Sequence, residues 1–357
     1  MNVSSIYYFL ILFHLSFFAY SQDINIQDTV QNEYVKSYSE FMNVRSITSF
    51  RNLSINVSER GQSPIADYSP NNRGFIGFGA FIFDLGIEVA FKYPKAFEKD
   101  KEVYGSTDFI DIQSHIYGKT VNFDLTYQKY EGFYLSNVND FEHFASDEIK
   151  VPVRGDLKAT NAIINILYLF NSDKFSFRSA YNQTEKQLKN AGSFLVINSF
   201  NYFRLQGDSV ILYSQTIDPF SNGTSLLDGK FYTFSILPGY AYNLPWKNFL
   251  LNFTLSAGAG IQHQVYVLED REDNSWQIEP KINFRSALTY DNNKFFGGIN
   301  YFIHNSYSSV NDMRIHSEVS NFRIFAGYRF KKFGIFKRYS INQVLNPIKH
   351  KLFGDEN

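Results

Sequence analysis

The chain has 357 residues, a formal net charge of −1 and no cysteine, and its 38 Phe, 25 Tyr and 2 Trp make up 18% of the sequence against 19% charged residues. The near-neutral balance excludes a nucleic-acid binder, which needs a basic excess to neutralise phosphates, and the lack of thiols excludes a disulfide framework, a thiolate metal site and a lipidated cysteine. So large a supply of aromatic strand formers, with 21 Gly, points away from a helical enzyme and toward an all-β chain.

Residues 6–19 form an apolar run ending at Ala19-Tyr20-Ser21, a small-x-small pattern. This predicts a cleaved signal peptide over 1–21 and a mature chain from Gln22, although no Lys or Arg precedes the run. The rest of the chain lacks a stretch of about 20 apolar residues, so any membrane insertion must be by strands that close on themselves. Residues 22–50 alternate weakly and are expected as a periplasmic lead-in. Within them Tyr34 to Met42 reads as a short amphipathic helix, with a plug of the lumen as the other reading.

From residue 51 the apolar and polar residues alternate with period two, the strand signature. Strands are expected over 51–59, where Leu53, Ile55 and Val57 alternate with Ser54, Asn56 and Ser58, and over 74–82 and 84–92. Residues 108–117 and 121–130 flank Gly118-Lys119 as a hairpin. Further strands are expected over 158–170, 175–182, 192–205, 209–215, 231–242, 249–262, 276–290, 295–305 and 321–331. Tight turns near 82, 118, 172, 207, 245 and 292 alternate with longer stretches at 60–73, 93–107, 131–157, 183–191, 216–229, 263–275 and 306–320. That asymmetry is the one outer-membrane barrels show between periplasmic turns and external loops. The expectation is a transmembrane antiparallel up-and-down β-barrel over 51–331 with about fourteen strands, twelve being the alternative, and a basic periplasmic tail over 332–357.

Several blocks carry a family resemblance: Tyr104-Gly105-Ser106-Thr107-Asp108-Phe109, the run from Asn122 through Gly132-Phe133-Tyr134, the run from Lys174 to Gln187, and Ala191-Gly192-Ser193-Phe194. Together they resemble the Bacteroidetes family called domain of unknown function 4421 over roughly residues 40–330. The resemblance implies a barrel in the outer membrane of a Gram-negative cell and supplies no catalytic residues. The polar 206–229 segment and the basic tail depart from it.

On a barrel the apolar members of each alternating pair meet lipid and the polar members line the lumen. Glu88, Asp111 and Asp124 are then expected to point inward from early strands, and Arg178, Lys281, Arg285, Arg323 and Arg329 from later ones. Facing walls of opposite sign would orient small polar solutes in a narrow channel. The competing expectation is that these charges pair and fill the interior, because an unpaired charge in a narrow lumen is costly. An enzyme acting on lipid or envelope is the alternative. His115 is its best base candidate, but the adjacent Ser114 points to the opposite face; His263 and His304 sit near strand ends or the lumen. Glu269, Asp270, Glu272 and Asp273 crowd one loop without the glycine-containing spacing of a calcium loop. No cofactor and no metal is expected. The expected partners are outer-membrane lipid, the barrel-assembly machinery during biogenesis and small polar solutes, with no nucleic acid.

Overall fold

The computed structural model describes residues 33–59, 65–71, 74–82, 85–93, 99–140, 151–211 and 226–333; the 1–21 segment and the tail beyond 333 lie outside the described residues. Its wall is built from β2 (Phe41–Glu59), β4 (Gly74–Ile82), β5 (Leu85–Lys92), β6 (Asp108–Tyr117), β7 (Val121–Leu135) and β8 (Val153–Leu169). It continues through β10 (Ala191–Gln206), β11 (Leu226–Trp246), β12 (Phe249–Leu268), β13 (Glu272–Asp291), β14 (Phe295–Val310) and β15 (Met313–Lys331). Neighbours are antiparallel. The circuit closes where β15 lies against β2 from Met313↔Glu59 to Lys331↔Phe41.

The short β3 (Ala66–Ser69) bridges β2 to β7, so that ten strands form one hydrogen-bonded ring. Below that strap β4 and β5 extend from β2, and β6 extends from β7. No ladder joins β5 to β6 among the described residues. The wall therefore carries a seam at one place. Closing every other edge satisfies the backbone donors and acceptors that a strand in lipid cannot leave open.

Among the described residues two of the fourteen expected strands are not formed, and the closed ring itself has ten strands with β4, β5 and β6 as additions to it. After a first short helix, α1 (Lys101–Tyr104), residues 175–182 hold a second, α2 (Phe177–Tyr181), capped by Ser176, whose Oγ accepts from the Ser179 amide at 3.1 Å. Ser209 to Ile211 is irregular, and 212–215 lies outside the described residues. Other corrections lengthen strands. The first long strand begins at Phe41, and Tyr34–Met42 is not helical: β1 (Val35–Ser37) pairs with β9 (Glu185–Gln187) before a turn into β2. That pairing takes the backbone groups a helix would have used. The loops expected at 263–275 and 306–320 are mostly strand, with turns only at 269–271 and 311–312. The turn-and-loop alternation also changes: the 170–190 connection lies at the tight-turn end, and 207–225 at the other.

Outside the barrel two bands of aromatic rings ring the wall. Toward the loop end stand Tyr202–Tyr232, Tyr232–His263 and His263–Trp276, with centroids 5.1, 6.4 and 4.6 Å apart. Toward the turn end stand Trp246–Phe249, Phe249–Tyr290 and Phe295–Tyr328, at 6.2, 5.2 and 5.0 Å. Between them the surface is apolar, with Ile236, Leu255 and Ile261 half exposed or more. At ~3.4 Å per residue and a tilt of about 40°, the ten steps of β11 from Tyr232 to Tyr242 rise about 26 Å. An apolar belt of that height between aromatic girdles is the lipid-facing surface of a transmembrane barrel.

Above the loop-end girdle the pattern inverts within single strands. On β2 the inward residues are Asn43, Arg45, Ile47, Ser49 and Arg51, mostly polar, then Leu53, Ile55 and Val57. On β15 they run from Arg329, Phe325, Arg323 and Asn321 to Val319, Ser317 and Ile315. The register sets Leu53 opposite Val319 and Arg51 opposite Asn321, so both strands switch at one height. Leu53, Ile55 and Val57, expected to face lipid, instead point inward, because this part of the wall has water outside and must bury its apolar face.

Candidate functional site

The interior has three layers, and the expected lumen residues fall in the lower two. At the turn end the 170–190 connection folds up into the barrel. Its Phe175, Phe177 and Tyr181 are buried against Leu195, Leu237 and Phe302 of the wall. Polar contacts fix it: Asn243 Nδ2 donates to the Ser176 carbonyl at 2.8 Å and to Gln187 Oε1 at 3.0 Å, and the Tyr181 hydroxyl donates to Asn252 Oδ1 at 2.7 Å. Arg329 lies beneath it, donating to the Gln183 carbonyl at 2.6 Å, pairing with Asp291 at 2.9 Å and covering the Tyr38 ring at 3.6 Å. Arg178 sits on α2 rather than on a wall strand, and pairs with Glu185 at 3.1 Å.

The middle layer holds the charges at membrane height. Asp124 of β7 reaches across to Arg285 of β13, residues 161 positions apart, and also bonds His115 Nδ1 at 2.8 Å. Glu88 of β5 binds Arg323 of β15 and Arg45 of β2, the latter at 2.6 Å. Asp111 accepts from Arg51 at 3.2 Å, Gln128 at 2.8 Å and the Tyr130 hydroxyl at 2.7 Å. An amide ladder, Asn201 to Asn161 at 2.9 Å and Asn161 to Gln128 at 3.2 Å, continues the layer, and Lys281 donates to Ser199 Oγ at 2.9 Å. Of the expected acids and bases, Asp124 meets Arg285 and Glu88 meets Arg323 inside the barrel, whereas Asp111, Arg178, Lys281 and Arg329 are held by other residues. Their partners Arg45, Arg51, Asp291 and Glu185 went unseen in the sequence: Arg45 lay in the supposed lead-in, and Asp291 in a turn.

The top layer is an apolar core in which Leu53, Ile55, Phe133, Phe203 and Phe231 are fully or almost fully buried. The Tyr68 hydroxyl within it donates to the Ile211 carbonyl at 3.0 Å.

Two larger cavities stand out among the described residues. One, of about 300 Å³, opens at the seam and is lined by residues of β6 together with Arg45, Glu88, Asn300 and Arg323. The other, of about 570 Å³, is a polar groove on the outer wall at the loop end, with Asn52, Asp67, His316 and Glu318 on its sides. The candidate histidines separate: His115 is held inward by Asp124 and stacked on Phe302 at 5.2 Å, His263 stands in the outer girdle, and His304 is buried in the lumen. Among the described residues no three His, Asp or Glu side chains are grouped to hold a metal ion. In the acidic turn Arg271 pairs with Asp270 at 3.5 Å.

No curated protein matches the chain. Among solved structures, the outer membrane protease OmpT from Escherichia coli aligns at 8% identity over 86% of this chain and 99% of its own, with a TM-score of 0.39. Ail, the attachment invasion locus protein of Yersinia pestis, aligns at 12% identity over 82% and 99%, with a TM-score of 0.19. Similarity at this level transfers no activity. The family comparison is extensive, since residues 27–330 match the family described as domain of unknown function (DUF4421), and the chain is a member of it.

Proposed function

We propose that the protein is an integral outer-membrane barrel with a closed lumen, a non-conducting scaffold that carries an apolar-cored rim above the membrane. The tight-turn end, where β2 begins and β15 ends, faces the periplasm. Residues 1–21 act as the secretion signal, and the barrel-assembly machinery inserts the chain. The observation that carries this reading is the sealing of the interior at both ends. Apolar packing fills the rim above the charged layer, the 170–190 insert fills the barrel below it, and between them Asp124, Glu88 and Asp111 are held by Arg285, Arg323 and Arg51. A solute path would need water where these side chains touch.

The test is conductance of the purified, refolded protein in a planar bilayer beside the Arg285→Ala variant. A silent bilayer, from protein whose heat-modifiable migration shows a folded barrel, is the expected result. Discrete openings whose ion selectivity moves toward cations in the variant would replace the closed scaffold with a narrow channel for small polar solutes.

A further inference from the structure

The seam between β5 and β6 lies beside the cavity of about 300 Å³. Its mouth carries Ile112 and Ile116, whose side chains are exposed on the lipid side. Its floor carries Arg45 and Arg323, both buried and both paired with the single carboxylate of Glu88, and Arg45 also donates to the neutral Tyr181 carbonyl at 3.2 Å and Gln183 Oε1 at 3.1 Å. Two guanidiniums on one carboxylate leave one positive charge in excess, before His115 is counted. The neighbouring charges do not cancel it, because Asp124 is taken by Arg285 and His115, and Asp111 by Arg51.

Two further groups on the lining are buried without a hydrogen-bond partner among the described residues: both polar atoms of the Asn300 amide and the Tyr117 hydroxyl. Asn300 is 1% exposed and Tyr117 8%. Unpaired donors beside an uncompensated cation are costly inside a protein unless an anionic acceptor completes them. The height is also fixed. Arg45, lower on the wall than Arg323, pairs in register with Gly327, next to Tyr328 of the turn-end girdle, so the lower edge of the cavity reaches the polar headgroups of the periplasmic leaflet while Arg323 lies higher in the layer. At its upper end the seam is pinned, with Lys92 over the Phe109 ring at 4.9 Å and Phe75 against Phe109 at 5.3 Å.

We propose that the seam is a lateral binding site for a glycerophospholipid of the periplasmic leaflet. Its phosphate diester enters between β5 and β6 to meet Arg45, Arg323, Asn300 and Tyr117, while its acyl chains stay outside against Ile112 and Ile116. Arginine forks and amide donors are the groups that bind phosphate oxygens, and an apolar mouth fits the acyl chains that a lipid has and a soluble anion lacks. The proposal rests on the bilayer placement above but not on the closed lumen. Protein that fails to insert into vesicles would defeat the placement before any lipid is counted.

The experiment counts dioleoyl-phosphatidylglycerol retained per chain by native mass spectrometry, after folded full-length protein in maltoside detergent is mixed with that lipid and washed. Expected is one retained lipid per chain. Retention should fall at least tenfold in Ile116→Trp, which narrows the mouth from the lipid side without touching the interior, and in Asn300→Asp, which adds negative charge to the lining. Ile278→Trp, on the lipid-facing side of β13 far from the seam, should retain as much lipid as the wild type. Equal retention in all four proteins would reduce the lipid to a general belt and overturn the site. Inorganic phosphate bound alone, or displacing the lipid at equal concentration, would reassign the site to a soluble anion and overturn the lipid.

Discussion

Arg285 is 1% exposed and its guanidinium ends on Asp124, which His115 also holds. Such a pair is stabilising chiefly against its own half: the desolvation cost was met when both charges were buried, and removing one partner leaves that cost with nothing to offset it. Arg285→Met is therefore expected to destabilise the barrel by about 3–5 kcal/mol, and the double change Arg285→Met with Asp124→Leu by much less, because no lone charge remains. The check is the urea midpoint of folding into short-chain phosphatidylcholine vesicles for the two single variants and the double. Equal losses in Arg285→Met and the double variant would mean that packing, not charge, is what Arg285 supplies there.

The 170–190 connection is the element that most separates sequence from structure. Phe175, Phe177, Ser179 and Tyr181 alternate as a strand does, and that alternation predicts a wall strand. Inside the barrel, however, Phe177, Ser179, Ala180 and Tyr181 are all buried, so alternation carries no information about a face turned to lipid. The available signal was Ser176, a helix N-cap residue placed before them. Its hydroxyl accepts from Ser179 and donates to the buried Glu185 at 2.5 Å. Ser176→Ala is expected to cost about 1–2 kcal/mol locally, read as faster hydrogen exchange across 177–187 with protection of β11 to β13 unchanged. By contrast the hairpins from β11 to β14 were legible, since one face meets lipid and the other turns inward all along 231–242 and 249–262. The inward residues of the candidate site were legible from the same phase. Their pairings were not, because contacts such as Arg285 to Asp124 depend on closure of the ring rather than on any local spacing.

For the whole molecule the deciding feature is that one chain solves two solvation problems with the same strands. Between the girdles the outside is apolar and the inside holds the charged and amide layer; above them the outside is polar and the inside apolar, and the switch falls at Arg51/Leu53 on β2 and Asn321/Val319 on β15. A sequence shows alternation in both regions and cannot by itself say which phase is inward, since phase is set by what lies outside. Three substitutions separate the regions. Leu255→Arg, outward on β12 midway between the girdles, is expected to cost about 2–4 kcal/mol, as a charge moved into the hydrocarbon does. Ser54→Arg, outward on β2 beside the polar groove, should stay within about 0.5 kcal/mol, as at a watered surface. Leu53→Ala, one residue away and fully buried in the rim, should cost about 2–5 kcal/mol through lost packing. Urea-titrated folding into vesicles measures all three. If Ser54→Arg proved as costly as Leu255→Arg while Leu53→Ala were neutral, residues 53–57 would have to face lipid and the rim would lie within the bilayer.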